Sequence, residues 1–261
     1  MRTRIFQVDA FTRQRFSGNP AAVMPLEAFP SDAVLQALAQ ENNLSETAFL
    51  VGGNGSYQLR WFTPAVEVPL CGHATLASAA VVLERLEPDR PAVTFHTASG
   101  ALSVTRAAAG YAMDFPARAT VPAPDSHALR RALGAVPQDV RADAVNYLVT
   151  LDSERAVRTL RPDIDAIARL DRLGVIVTAR GEGEFDCVSR YFTPARGVPE
   201  DPVTGSAHCA LAPYWSERLG KAQLRAYQAS RRGGELWCRV NGERVELVGE
   251  CVFYLDGLVE I

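Results

Sequence analysis

The sequence predicts a mixed α+β protein made of two related halves, each with one long apolar helix set among strands. Three observations predict it: a string of residues that occurs twice, a strand–loop–helix pattern that accompanies each copy, and short strand-like runs through most of the rest. The chain has 261 residues, 48% of them hydrophobic, enough for one large domain or two of ordinary size.

Residues 60–80 read RWFTPAVEVPLCGHATLASAA, and residues 190–212 read RYFTPARGVPEDPVTGSAHCALA. Arg60 and Phe62–Ala65 match Arg190 and Phe192–Ala195 at an offset of 130; after three extra residues in the second copy, Gly72 matches Gly205 at 133. Such a near-identical string with one insertion reads as an internal duplication. Each copy is entered through an aromatic and β-branched run that suits a strand. Thr-Pro then breaks the ladder, since proline has no N–H and restricts the residue before it. A small-residue turn at Gly72 or Gly205 opens each helix. The first is expected over 72–86, stopped by Pro88. The second is expected over 205–219 with Gly220 as its C-terminal stop, and kinked by Pro213. Leu76, Ala79, Val82, Ala210 and Leu211 should make both helices largely buried.

The other elements follow in order. Thr3–Val8 and Ala21–Met24 read as strands around the turn Ser17-Gly18-Asn19-Pro20. Ser31 is placed to cap a helix through Asn42 with Val34, Leu35 and Leu38 on one face. Val93–His96, Ala101–Thr105 and Tyr111–Phe115 read as strands separated by Gly100 and Gly110. Pro116, Pro122 and Pro124 mark 116–125 as a linker, dividing the chain into halves at 1–116 and 125–261. The second half holds a helix near 126–133, a strand at 145–151, helices through Leu173, a strand at 175–178, and a strand-rich end with a hairpin at Asn241-Gly242.

Composition excludes several classes. The net charge is −3 with no basic stripe, so nucleic acid is not an expected partner. The N-terminus lacks an apolar core and a cleavage site, and the longest mainly apolar run, Leu76–Leu83, is too short to cross a bilayer, so no signal peptide and no membrane are expected. The five scattered cysteines form no CxxC pair, which argues against disulfides or structural zinc. A cytoplasmic protein is the expectation.

Chemistry concentrates at the repeated turns. A helix N-terminus offers unpaired N–H groups and a positive dipole end, suited to an anion, and Gly72 and Gly205 let the backbone approach a ligand closely. The alternative is that both turns merely connect strand to helix. The first copy offers Cys71 and His73; the second offers Asp201, Thr204, Ser206 and His208. Cys71 is a candidate nucleophile or a small buried hydrophobe, and each histidine a proton carrier or a satisfied structural group. Elsewhere, Asn42-Asn43-Leu44-Ser45-Glu46 leads into the apolar Ala48-Phe49-Leu50. Glu46 is either a strand-start residue or a carboxylate partly withdrawn from water and so suited to moving protons. Glu67 carries the same two readings.

Four motifs, FQVDAFT…FSGNPAAV, NNLSETAF, FTPAVEVPLCGHAT and FTPARGVPEDPVTGSAH, span residues 5–208 in order. Together they resemble the PhzF-like family, the phenazine-biosynthesis isomerases and their relatives. The resemblance implies a fold similar to diaminopimelate epimerase, with two pseudo-symmetric domains, each a β-barrel-like sheet around a central helix, and a site between them. It also implies a proton shuttle without metal or cofactor. The family's catalytic glutamate falls on Glu46, its histidine on His73 and its aspartate on Asp201. Ser206, with the helix starts at Gly72 and Gly205, would hold a substrate carboxylate. Related epimerases use two cysteines; this chain has Cys71 but none in Asp201–Ser206, and Cys209 lies a helical turn further on. Homodimers are common in the family.

The expected function is therefore a cofactor-independent isomerase moving a proton between carbons of a small carboxylated substrate through a glutamate acid/base. The alternatives are an amino-acid racemase or epimerase on the same fold, and a non-catalytic small-molecule-binding protein.

Overall fold

The computed structural model describes residues 2–261 and divides into two compact units, residues 2–114 with Val248–Ile261, and Phe115–Leu247. It is the mixed α+β protein the sequence predicts.

The first unit runs β1 (Arg2–Ala10), β2 (Asn19–Leu26), α1 (Asp32–Asn42), β3 (Glu46–Gly53), β4 (Ser56–Phe62), β5 (Glu67–Val68), α2 (Gly72–Val81), β6 (Ala92–Thr97), β7 (Gly100–Ala107) and β8 (Gly110–Pro116). A π-turn over Val82–Leu86 continues α2, so the helical stretch ends where Pro88 predicts. Antiparallel β1–β2 pairing is followed by parallel β2–β3 pairing that sets Ala21 beside Glu46. α2 packs against β1, β2 and β3, and every residue from His73 to Val81 is buried. Its run of Ala, Ser and Thr lets strands approach on all sides, a helix apolar all round because it is enclosed. Outside β2 and β3, α1 contributes Leu35 and Ala39 to a second core with Met24, Phe49 and Phe62. Val34 and Leu38 of the expected face are only half-buried, and Ser31 makes no side-chain cap.

The second unit holds β9 (Val121–Pro122), α3 (His127–Leu133), β10 (Asp139–Ala142), β11 (Asn146–Thr150), α4 (Glu154–Thr159), α5 (Ile164–Ala168), β12 (Gly174–Arg180), β13 (Cys187–Thr193), β14 (Val198–Asp201), α6 (Gly205–Leu219), β15 (Gln223–Gln228), β16 (Gly234–Asn241) and β17 (Arg244–Gly249). α6 continues through Pro213 and ends on Gly220 in the left-handed conformation. It packs against β15 and β16, with Ala210 and Leu211 buried. Phe192 and Val188 of β13 join Val175 and Val177 of β12 in the main core of this unit.

The boundaries differ from the sequence-based division in two respects. The stretch 116–125 contains β9, which pairs with β10, so it is part of the second unit. The last strand, β18 (Cys251–Glu260), returns to the first unit and pairs antiparallel with β1, from Arg2↔Glu260 to Ala10↔Cys251. Local turn chemistry at Asn241-Gly242 marks a hairpin but carries no sign of so distant a partner.

Candidate active site

The first repeated turn is built by register. Parallel pairing of β2 with β3 sets Glu46, the first residue of β3, beside Ala21, two positions after Asn19. Phe62 lies opposite Thr47 on β4, and the chain then passes Thr-Pro to Cys71, whose extended backbone (φ −143°, ψ 112°) begins α2. His73 thereby meets Glu46: imidazole Nε2 lies 3.0 Å from carboxylate Oε2, with side chains 6% and 18% exposed. On the other side of the ring, Asn19 Nδ2 stands 3.2 Å and Cys71 Sγ 3.4 Å from Nδ1.

These contacts assign the protons. An Nε2 lone pair facing an ionised carboxylate at 3.0 Å would be repelled, so we read Nε2 as the nitrogen that carries hydrogen, close to Glu46 though not aligned with it as a hydrogen bond. Burial, and next the Glu46 charge, push the Cys71 thiol up, so it stays protonated at neutral pH. For His73, burial disfavours the charged ring, while a thiolate at Cys71 and then the Glu46 carboxylate would raise it well above its usual value. Because the thiol is held neutral, the first of those upward pulls is absent. The S–H instead joins the Asn19 amide in donating to Nδ1. We therefore read the ring as neutral, with its proton on Nε2. Glu46, Cys71 and His73 each offer a donor atom within 4.8 Å of the others, a set able to ligate a soft divalent ion. In this structure those atoms are engaged with one another and with Asn19.

The second repeated turn has the same backbone and other chemistry. Thr204 is extended (φ −120°, ψ 100°) ahead of α6. Its hydroxyl donates to Asp201 Oδ2, and its N–H donates to Gln228 Oε1 at 2.9 Å. Gln228, wholly buried, returns Nε2 to the Asp201 carbonyl at 2.8 Å. His208 lies one turn into α6 with Nδ1 2.8 Å from the Thr204 carbonyl, so Nδ1 is the protonated nitrogen. Thr75, the matching residue of α2, sends its hydroxyl to the Cys71 carbonyl at 2.6 Å in the same way. His208 is thus a structural back-bond, and burial lowers its pKa to about 4. Ser206 is half-buried on the first turn of α6. Neither Cys71 nor Thr204 caps its helix through a side chain, which leaves the first-turn amides of both without that partner.

The two carboxylates with equal claims on sequence now separate. Both oxygens of Glu67 are taken by Arg60, at 2.8 Å each, on the surface. Arg190, the matching arginine, makes the same fork with Glu200 at 2.7 and 2.9 Å. Two participants escaped the sequence reading. Asn19 sits in a turn visible as Gly-Asn-Pro, but nothing local announces its reach to His73. Gln228 ends a strand with no signal at all.

The mixed α+β architecture is similar in fold to solved epimerases. A hydroxyproline epimerase from Agrobacterium vitis superposes with a TM-score of 0.59 at 12% identity, covering 99% of this chain and 92% of its own, a likeness of fold alone. The model of the phenazine biosynthesis-like protein family, PhzC-PhzF, matches residues 8–257, and the chain belongs to that family. An uncharacterized isomerase of Pseudomonas aeruginosa is 52% identical over 262 residues, covering all of both chains. A PhzF-family crystal structure from Enterococcus faecalis is 42% identical with a TM-score of 0.97, again over the full length of both. Among the described residues, no helix is long and apolar enough to cross a membrane.

Proposed function

We propose that the chain is a cofactor-independent isomerase in which Glu46 takes a proton from one carbon of a small carboxylated substrate and returns it at another. The observation that carries this reading is the buried contact between Glu46 Oε2 and His73 Nε2 beside an uncapped helix start. One carboxylate oxygen lies against the His73 ring, and the other is proposed to exchange a proton with carbon. Loss of the proton leaves an electron pair delocalised toward the substrate's carboxylate or conjugated bonds. Reprotonation at the new carbon by the same carboxyl group closes the cycle with no oxidant, reductant or net proton consumed. His73 orients Glu46, its one N–H being turned toward that carboxylate. The amides at Gly72 and Gly205, with the Ser206 hydroxyl, are proposed to bind carboxylate, and Asp201 to orient a polar group of the substrate.

The relatives' name of isomerase supports the reaction class. The neutral, buried Cys71 and the lack of a thiol at Thr204 or Ser206 weigh against two-thiol racemisation. The test is incubation in deuterated water with a panel of carboxylated dienes and amino acids, read by mass spectrometry. A product of unchanged formula with deuterium at a new carbon is expected. Exchange confined to the α-carbon of an amino acid would establish a racemase instead, and binding without exchange across the panel would establish a binding protein.

A further inference from the structure

Asn19 enters the sequence reading only as a turn residue, with no chemical role, yet its side chain is wholly buried and its Nδ2 reaches 3.2 Å from His73 Nδ1. We propose that Asn19 is a positioning residue: by donating to Nδ1 it fixes both the plane of His73 and the location of its proton on Nε2, so that Glu46 always faces a hydrogen-bond donor. The proposal rests on Glu46 being the proton carrier, and it adds what keeps that carboxylate ready.

A neutral ring has one N–H, and if that hydrogen sat on Nδ1, a lone pair on Nε2 would point at the carboxylate 3.0 Å away. The ring cannot choose by itself, because both tautomers lie close in energy; the partner of the second nitrogen decides. An amide N–H at Nδ1 requires that nitrogen to accept. An imidazolium, with hydrogen on both nitrogens, would force the Asn19 amide to turn its oxygen toward the ring. Cys71 reinforces the choice as a weaker donor, since its S–H also points to an acceptor at Nδ1.

The loop that delivers Asn19 supports the assignment. Phe11 and Phe16 adopt positive φ (62° and 70°), uncommon for bulky residues. Gly18, at φ +66°, precedes Asn19 directly, and a Cβ there would come within 2.2 Å of the Ala10 carbonyl. Asp9, almost fully buried, accepts the Phe16 N–H at 2.9 Å and holds the turn. Strained backbone of this kind persists only where the surroundings over-determine it, and it clusters at functional sites. Here its outcome is the position of one amide.

The test is long-range 1H–15N correlation on uniformly 15N-labelled protein. With only four histidines, His73 and His208 can be assigned from single substitutions. Wild-type protein should show His73 with hydrogen on Nε2, and His208 with hydrogen on Nδ1 as an internal reference. Asn19→Asp, which can only accept, should convert His73 to the doubly protonated ring. Asn19→Ala should leave a mixture of tautomers and reduce turnover of the fastest-exchanging panel compound by roughly 10–100-fold in kcat with little change in KM, as expected of misorientation. Hydrogen on Nδ1 of His73 in the wild-type protein would overturn the proposal without recourse to any variant that folds poorly. So would an unchanged tautomer in both Asn19 variants. Those results leave the role of Glu46 untouched. Undiminished exchange in Glu46→Gln would instead remove the functional reading while the tautomer assignment stood.

Discussion

The two repeated turns share a backbone and differ in what surrounds their histidines. His73 and His208 are both buried on the first turn of a long helix, and both are read as neutral. They carry their proton on opposite nitrogens. His73 faces a carboxylate with Nε2 and is approached at Nδ1 by an amide and a thiol; His208 spends Nδ1 on the carbonyl four residues back, the task that Thr75 performs in the other copy. A buried imidazole gains chemistry from its partners, and its position in a motif does not supply it.

The sharpest way to break this contrast is to replace each histidine with glutamine. His73→Gln should lower deuterium exchange by ~10²-fold, the scale of a lost acid/base partner, while His208→Gln stays within a few-fold of wild type. Equal losses would show that the two rings do comparable work.

A second contrast lies in pH. The unfolded chain protonates His208 near 6.5, the folded chain only near 4. Between these values the unfolded state holds more protons, so stability falls as pH drops from 6.5 to 4, by on the order of 3 kcal/mol from this group. His208→Gln does not titrate and should flatten the denaturant midpoint across that window. A slope unchanged from wild type would show that His208 is not held neutral by burial.

The smallest effect is expected at Cys71. A buried, protonated thiol that only donates weakly to Nδ1 is replaceable by a hydroxyl, so Cys71→Ser should retain at least a tenth of wild-type exchange. A loss of ~10²-fold or more would make the thiol an essential acid or base.

Much of this was legible in sequence because it is local. The ends of α2 and α6 follow from Gly72, Pro88, Gly205 and Gly220, whose backbone preferences need no distant partner. Their burial follows from composition. Glu46 and His73 could be picked out by motif, but their contact depends on parallel pairing of β2 with β3, which no local pattern specifies. Asn19 and Gln228 act across 54 and 24 residues of sequence and were invisible for the same reason. The return of β18 to β1 is the extreme case, since it joins the two ends of the chain. Glu67 shows the converse: its local pattern carries the same two readings as that of Glu46, and the fork from Arg60, which occupies both its oxygens, depends on a strand pairing that the pattern does not specify.

Glu46→Gln keeps the shape of the side chain and abolishes its capacity as a base. The decisive measurement is deuterium incorporation into the isomerised product with wild type, Glu46→Gln and Glu67→Gln side by side. Glu46→Gln should still bind substrate while incorporation and turnover fall together by ~10²–10⁴-fold, with Glu67→Gln near wild type. Near-normal incorporation in Glu46→Gln, with loss in Glu67→Gln or Asp201→Asn, would contradict this and move the proton to another carboxylate.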